Sequence, residues 1–596
     1  MQQNKNSSST FIGSPESRIQ LFYGLLFAVV IIIGLRLFYL QVIKHDYYQS
    51  QAQASQLKQF ELPAERGSIY AFDGGEIVPV VLNEVRYQIT ADPEIIDDKQ
   101  AVADALADEI DFSASEILLL LSREDSRYEV LAKKQSKEKK EAIQELKLPG
   151  VFAHEKVSQR VYIQGDIAGQ LLGFVNDAGD GQYGVEEYLQ QQLSGTVGRV
   201  KALTDQNNVP LLATGGNVQI DPIDGEDIVL TIDVSMQRQL ETILKQGLEN
   251  ARSESGSAII IDPNTGAVRA MANYPSFDPA KFTEIEDASL FQNASVSSPL
   301  EPGSIMKTLT TAAALDSGSI SENQSYFDPG SFNIDGATVT NVVESAGIGT
   351  RTIADILRLS LNTGATWLLT QMGDGELNQQ GREVWHDYMV NHYQLGKRTG
   401  IEQGSPSDGG AEAQGIIPDP NDGFGLNIRY ANTSFGQGMT ATPLQMVAAV
   451  ASAVNGGTYY QPTLVSGSFD SDGELNAPEP VVVKDNVVSS EVSSSLRRLM
   501  ANVVNNNNPG ARRDSYNIGG KTGTAEIANP AGGYYTDRYN GTYVGFVGGD
   551  MPDYVVIVRA NEPKAPGYAG SIAGRPIFAA LSNMLIDNFT VSRITQ

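Results

Sequence analysis

The sequence predicts an α/β fold in which helices sandwich an antiparallel sheet. Three observations lead there. The stretch "GSAIIIDPNTGAVRAMANY" (256–274) holds two β-rich runs joined by Pro-Asn-Thr-Gly, the pattern of a hairpin. Three more strand-like runs lie far downstream: "GGKTGTAEIA" (519–528), "GTYVGFVGG" (541–549) and "DYVVIVRAN" (553–561). A last amphipathic helix carries Ile577, Phe578, Leu581 and Leu585 on one face. Between the strand groups the chain reads mostly as helix and loop. It includes "LQMVAAVASAVNGG" (444–457), an apolar helix closed by Asn-Gly-Gly.

Length and composition bound the function. A chain of 596 residues exceeds one ordinary core and predicts roughly two to four domains. The apolar fraction, 41%, is that of a protein that folds mainly in water. A formal charge of −28 repels phosphate backbones and argues against nucleic-acid binding. With no cysteine there is no disulfide, thiolate metal site or cysteine nucleophile. His45, His154, His386 and His392 lack the four-residue helical spacing of a zinc site. No metal or organic cofactor is indicated.

"LFYGLLFAVVIIIGLRLFYLQVI" (21–43) is the one segment of membrane length. At about 1.5 Å per residue it reaches roughly 34 Å, enough to span. Arg36 can snorkel to the interface beside Tyr39. A cleaved signal peptide is one rival, but Ala52-Gln53-Ala54, its cleavage-like site, follows a long aromatic and charged stretch; a buried core helix is the other, but the run is apolar on all faces. An uncleaved anchor is expected. Lys5 and Arg18 before the span nearly balance Arg36 and Lys44 at its close, so charge alone leaves its orientation open. The polar start, "QQNKNSSSTFIGSPES", is expected to be disordered.

Residues 44 to about 225 read as a mixed module. "VRYQITA" (85–91) looks like a strand, and residues 98–147 read as charged and helical, with "KKQSKEKKEAIQELK" a solvated helix face. No internal repeat is visible.

The candidate chemistry begins at "EPGSIMKTLTTAAALDSG" (301–318). Pro302-Gly303 is a turn pair and Ser304 opens an apolar helix, so Ser304 and Lys307 share a helix face. A serine hydroxyl needs a base, and a lysine serves only if burial and a nearby cation depress its pKa. Ser-x-x-Lys alone is weak, for it recurs at Ser55–Lys58 and Ser136–Lys139. "LRLSLNTGATW" (357–367) adds Ser360-Leu361-Asn362, a Ser-x-Asn that also occurs at Ser321–Asn323 and Ser331–Asn333. Lys521-Thr522-Gly523-Thr524 holds the only Lys-Thr-Gly in the chain. It lies in a predicted strand whose glycines suggest close approach by a ligand or another backbone, or an edge strand with a bulge.

In this order the three motifs form the signature of penicillin-recognising serine enzymes. The chain resembles class B penicillin-binding proteins, monofunctional peptidoglycan D,D-transpeptidases, over nearly everything after residue 20. "LPAERGSIYAFDG" (62–74), "RVYIQGDIAGQLLGFVNDAGDGQYGVEEYLQQQLSGTVG" (160–198) and "TSFGQGMTATPLQMVAAVASAVNGG" (433–457) carry the resemblance outside the motifs. It implies a five-stranded antiparallel sheet sandwiched by helices over 226–596, a pedestal of the dimerisation type over 44–225, an anchor over 21–43 and a cytoplasmic tail over 1–20. Ser304 would be the nucleophile and Lys307 its base. Ser360 would relay a proton to the leaving group, Asn362 would hold the substrate amide and Lys307, and Lys521 would lower neighbouring pKa values. Thr522, Gly523 and Thr524 would bind substrate, and the N–H groups of Ser304 and Thr524 would form the oxyanion hole. The fillers of "SIMK" and "SLN" depart from the family's commoner residues, which touches inhibitor preference more than mechanism.

The resemblance further implies a single-pass protein of the cytoplasmic membrane with its catalytic domain outside. Its ligands would be stem peptides and β-lactams. Its partners would be a multi-spanning glycosyltransferase and other divisome membrane proteins. "GFVNDAGDGQYGVEE" looks more like the division type than the elongation type. The rival readings are a D,D-carboxypeptidase or β-lactamase-like hydrolase, which the anchor and pedestal disfavour, and a non-catalytic scaffold, which three intact motifs disfavour.

Overall fold

In the computed structural model the described residues are 15–45, 47–48, 57–123, 126–203, 218–342, 347–405, 411–421, 426–470 and 472–595. The cleavage-like Ala52-Gln53-Ala54, Ser55 and all but the last residues of the polar start lie outside them. The chain forms two compact units, residues 1–64 with 196–223, and residues 65–195 with 224–596.

In the first unit the apolar run forms a helix, Pro15–Phe38, that continues with wider turns over Tyr39–Ile43. Residues 21–43 are long and apolar enough to span a membrane, and none of that stretch is covered by protein. A three-stranded sheet of Leu57–Leu62, Gly198–Leu203 and Val218–Ile220 completes the unit.

The second unit contains the expected sandwich. The hairpin forms as β1 (Ser255–Ile261) and β2 (Val268–Tyr274), and the three later runs form β3 (Asn517–Ala528), β4 (Tyr534–Gly548) and β5 (Pro552–Asn561). The order is β2-β1-β5-β4-β3, antiparallel throughout, with β3 at one edge. Alternation of side chains explains why a sheet forms and why it is buried twice. Along β1, Ala258 and Ile260 join one core while Ile259 and Ile261 join another; β5 does the same with Val556 and Val558 against Val555 and Ile557. On one face lie α1 (Val234–Ala251), through Leu240, Leu244 and Leu248, and the final helix Arg575–Asn588, through Ile577, Phe578, Leu581 and Leu585. On the other lie α2 (Met306–Asp316), α3 (Asn362–Met372), α4 (Pro443–Val454) and α5 (Ser490–Asn507). Helix α4 is buried along its whole length, and a Thr442–Gln445 capping box with Pro443 fixes its start.

A seven-stranded sheet draws strands from both sides of residue 225. Ile228–Asp233 runs parallel to Ile69–Asp73, which pairs with the long strand Glu76–Ala91. "VRYQITA" is the second half of that long strand. The 98–147 segment is not helical throughout. It holds the strand Glu129–Gln135, paired to Glu76–Ala91, so the charged run starts in a strand and is helical only from Lys137 to Glu145. Burial of Leu131 and Ala132 against the sheet outweighs the helix propensity of the lysines beside them. The insert between the strand groups likewise includes two short strand pairs, Ser325–Asp328 with Gly349–Thr352 and Ser331–Ile334 with Ala337–Thr340. In the 65–195 segment Glu186, fully buried, is held by Arg66 at 2.6 Å and Arg160 at 2.8 Å.

Candidate active site

The serine is positioned by two glycines. Ser304 lies in a single 3₁₀ turn, Gly303–Ile305, that feeds α2. Gly303 has φ +62°, and a Cβ there would stand 2.8 Å from the Thr524 carbonyl oxygen. Gly436 has φ +88°, and its Cβ would fall 2.1 Å from the Gly303 carbonyl oxygen. Only glycine permits both approaches. The Gly303 N–H donates to the Gly436 carbonyl at 3.0 Å. The serine turn is therefore clamped between β3 and the 436–438 loop, with Ser304 partly exposed.

Lys307, one turn on, is fully buried. Its Nζ lies 3.0 Å from Ser304 Oγ, 2.7 Å from the Ser360 carbonyl oxygen, 2.8 Å from Asn362 Oδ1 and 3.3 Å from Ser360 Oγ. Burial drives its pKa well below 10.5, and the Lys521 charge acts in the same direction. A neutral amine has two N–H bonds and one lone pair. The Ser360 carbonyl and Asn362 Oδ1 accept the two N–H groups, which leaves the lone pair for the Ser304 O–H. The Asn362 amide donates through Nδ2 to the Thr340 carbonyl at 3.0 Å, which turns Oδ1 toward the lysine.

Ser360 sits between the helix Ile353–Arg358 and α3 with φ +57°, a left-handed conformation that a non-glycine residue adopts at a cost. Leu361, wholly buried, donates its N–H to the Ile356 carbonyl and anchors the corner. Lys521 reaches the same corner from β3. Its Nζ donates to Ser360 Oγ at 3.0 Å and to the Thr522 carbonyl at 2.8 Å. Burial lowers its pKa from 10.5 to about 7.

Thr522 and Thr524 are partly exposed positions of β3, alternating with buried Lys521, Gly523 and Ala525. Thr524 Oγ1 accepts the Gly570 N–H at 3.1 Å, so its own proton is available to an anion. Gly523 serves packing: a Cβ would lie 2.2 Å from Thr542 Oγ1 and 2.8 Å from the Pro302 carbonyl. Its reach to a substrate is through the backbone alone. All three motifs thus meet at one serine. The repeated motifs do not join them. Ser136 caps a helix by accepting the Lys139 N–H, and Ser321, Asn323, Ser331 and Asn333 are exposed.

Four neighbours escaped motif reasoning: Glu301, Phe435, Gln437 and Glu526. The Phe435 ring lies 5.9 Å from Lys307 Nζ. Gln437 donates to Glu526 at 2.9 Å, and Glu301 accepts from the Gly438 N–H and the Tyr534 hydroxyl at 2.9 Å each. Glu301, Phe435 and Gln437 flank glycines in turns, where no spacing rule marks them.

Comparison with known proteins matches this geometry to one group. Residues 256–583 match the penicillin-binding protein transpeptidase domain, and residues 61–230 match the penicillin-binding protein dimerisation domain. The stage V sporulation protein D of Bacillus subtilis is 30% identical, covering 94% of this chain and 84% of that protein. The peptidoglycan D,D-transpeptidase FtsI of Escherichia coli is 26% identical over 94% of this chain and 89% of its own length. Among solved structures, penicillin-binding protein 2X of Streptococcus thermophilus superposes with a TM-score of 0.72 at 22% identity, covering 89% of this chain and 80% of that one. Penicillin-binding protein 3 of Mycobacterium tuberculosis in complex with aztreonam gives 0.66 at 23% identity over 90% of this chain and all of that one. These two share the fold. A match spanning more than half of the chain, with a 30% identical relative along nearly its full length, makes this chain a member of the penicillin-binding transpeptidase family.

Proposed function

We propose that this chain is a membrane-anchored, serine-type peptidoglycan D,D-transpeptidase of class B that cross-links stem peptides. The observation that carries the reading is the buried amine Lys307 Nζ, standing 3.0 Å from Ser304 Oγ while Ser360 and Asn362 occupy its N–H bonds. Ser304 Oγ attacks the carbonyl of the penultimate D-alanine as its proton passes to Lys307. The oxyanion forms beside the N–H groups of Ser304 and Thr524, worth a few kcal/mol per donor. Ser360, bonded to both lysines, passes the proton to the leaving D-alanine nitrogen as the C–N bond breaks. Thr522 and Thr524 hold the leaving carboxylate. The amine of a second stem peptide then attacks the acyl-enzyme, gives up a proton through the same lysine–serine pair, and forms the new amide as Ser304 Oγ is released and reprotonated. A β-lactam takes the donor's place and stops at the acyl-enzyme.

The names of the relatives favour the division type, and with it a multi-spanning glycosyltransferase partner contacting the anchor and a pedestal over 44–225. A substrate outside the membrane places the short amino tail in the cytoplasm. Mid-cell localisation of a tagged chain supports the division role, and a signal spread along the side wall counts against it. The chemistry is tested by fluorescent penicillin labelling. The wild type should label and Ser304→Ala should not; persistent label in that variant would remove Ser304 as nucleophile. Incubation with donor peptide and an amine acceptor should yield amide. Free D-alanine with no amide product would point to a hydrolase.

A further inference from the structure

The amide of Asn362 has two ends, and only one of them leaves Lys307 a base. With Oδ1 toward Nζ, the amide accepts an N–H and the lone pair stays on the Ser304 hydroxyl. Turned over, it would donate Nδ2–H into that lone pair, and Ser304 would lose its proton acceptor. The Thr340 carbonyl, which accepts from Nδ2 at 3.0 Å, selects the productive end. That selection is only as firm as the position of Thr340.

The next residue holds Thr340 in place. Helix α3 opens on Leu361, which offers no capping side chain. The N–H of Thr363, in the first turn, is taken instead by Asn341 Oδ1 at 3.1 Å, from 22 residues upstream. Asn341 Nδ2 lies 2.8 Å from Thr363 Oγ1, which lies 2.7 Å from Asp328 Oδ2. A hydroxyl has one proton, and a carboxylate is the stronger acceptor. Thr363 therefore donates to Asp328 and accepts from Asn341 Nδ2, although Asn341 Oδ1 also lies 3.0 Å from the hydroxyl. Asp328 and Thr363 are both fully buried. The other Asp328 oxygen accepts the Gly330 N–H at 2.8 Å, and the carboxylate sits at the positive end of α3. Residues 340 and 341 thus grip 362 and 363 side by side, and the buried carboxylate sets the direction of the hydrogen bonds between them.

We infer that Asn341, acting through Thr363 and Asp328, is a positioning residue that keeps Asn362 Oδ1 turned toward Lys307. That role rests on the reading above, in which Lys307 is the base of Ser304. Its test is stopped-flow acylation of the full-length protein in detergent by a chromogenic cephalosporin, at saturation and over a pH series. Asn341→Ala should lower the limiting rate about tenfold, the worth of one hydrogen bond at the base. It should also move the acid limb of the profile to lower pH, because an amide that donates to the lone pair favours the neutral amine. Lys521, the charged group that bears on Lys307, is unchanged in this variant. A merely loosened fold admits water to Lys307 and moves the limb the other way. In an Asn362→Ala background the same substitution should cost under about twofold, since the amide it orients is gone. Thr363→Ser keeps the hydroxyl and should match the wild type, while Thr363→Val fills the same space without it and should slow as Asn341→Ala does. An Asn341→Ala rate equal to wild type, an acid limb that stays or moves upward, or a loss that persists in Asn362→Ala overturns the inference. Should Asn341→Ala not fold, equal rates for Thr363→Ser and Thr363→Val overturn it. Acylation that survives Ser304→Ala, or none in the wild type, removes the serine–lysine reading itself.

Discussion

Two buried lysines converge on one corner, and the chemistry depends on which of them carries a proton. Lys307 is depressed first by burial and then by the charge of Lys521, and burial alone brings Lys521 to about 7. Only neutral Lys307 can accept the Ser304 proton, so acylation by a β-lactam should be flat in mildly alkaline solution and fall as pH drops through the Lys307 pKa. Lys521→Met removes the nearby cation. That lets the Lys307 pKa rise and moves the acid limb of the pH–rate profile upward even as the rate itself falls. Stopped-flow acylation across a pH series measures this, and an acid limb that stays in place or shifts downward would contradict the coupling of the two amines.

At the scale of elements, the active geometry is a set of backbone approaches. The 303 turn, the 436 turn and β3 touch where a side chain would not fit. Gly436→Ala places a Cβ 2.1 Å from the Gly303 carbonyl oxygen in a left-handed conformation and must shift the serine turn by about 1 Å. A displacement of that size at a reacting centre costs about a hundredfold in acylation rate, with a fall of only a few degrees in the thermal midpoint. Penicillin acylation within threefold of wild type would show that the clamp does not set the serine. The strands were legible because β1, β4 and β5 alternate between two cores, and the final helix because its apolar face is continuous. Glu129–Gln135 was not legible, since lysines beside a buried Leu-Ala pair look helical until the partner strand is known. Ser304, Lys307, Ser360, Asn362 and Lys521 could be named because each sits in a short motif. Glu301, Gln437 and Glu526 could not, because their bonds close over separations of 137, 89 and 233 residues and leave no local pattern.

The whole molecule bears a thermodynamic cost for the same two amines. A lysine whose folded pKa lies below its unfolded value opposes folding wherever the unfolded chain binds the extra proton. For Lys521 that window runs from about 7 in the folded state to 10.5 in the unfolded chain. Across it the unfolded state holds more protons, so stability rises with pH; at neutral pH the cost is on the order of 4 kcal/mol. Lys307 acts with the same sign. Above about pH 10 the trend reverses. Buried Tyr393, Tyr459 and Tyr543 have raised pKa values, so the unfolded chain sheds phenolic protons that the folded one keeps. His386, lowered by burial, is already neutral in both states above about pH 7.5. Between roughly pH 7.5 and 9.5 the lysines therefore dominate the slope. The thermal midpoint of the wild type should climb by several degrees over that range, and that of Lys521→Met should climb distinctly less. Equal slopes in calorimetry would mean that Lys521 keeps its charge in the folded protein. The groove would then hold a permanent cation beside Ser360, and only Lys307 would be left to be neutral when the serine attacks.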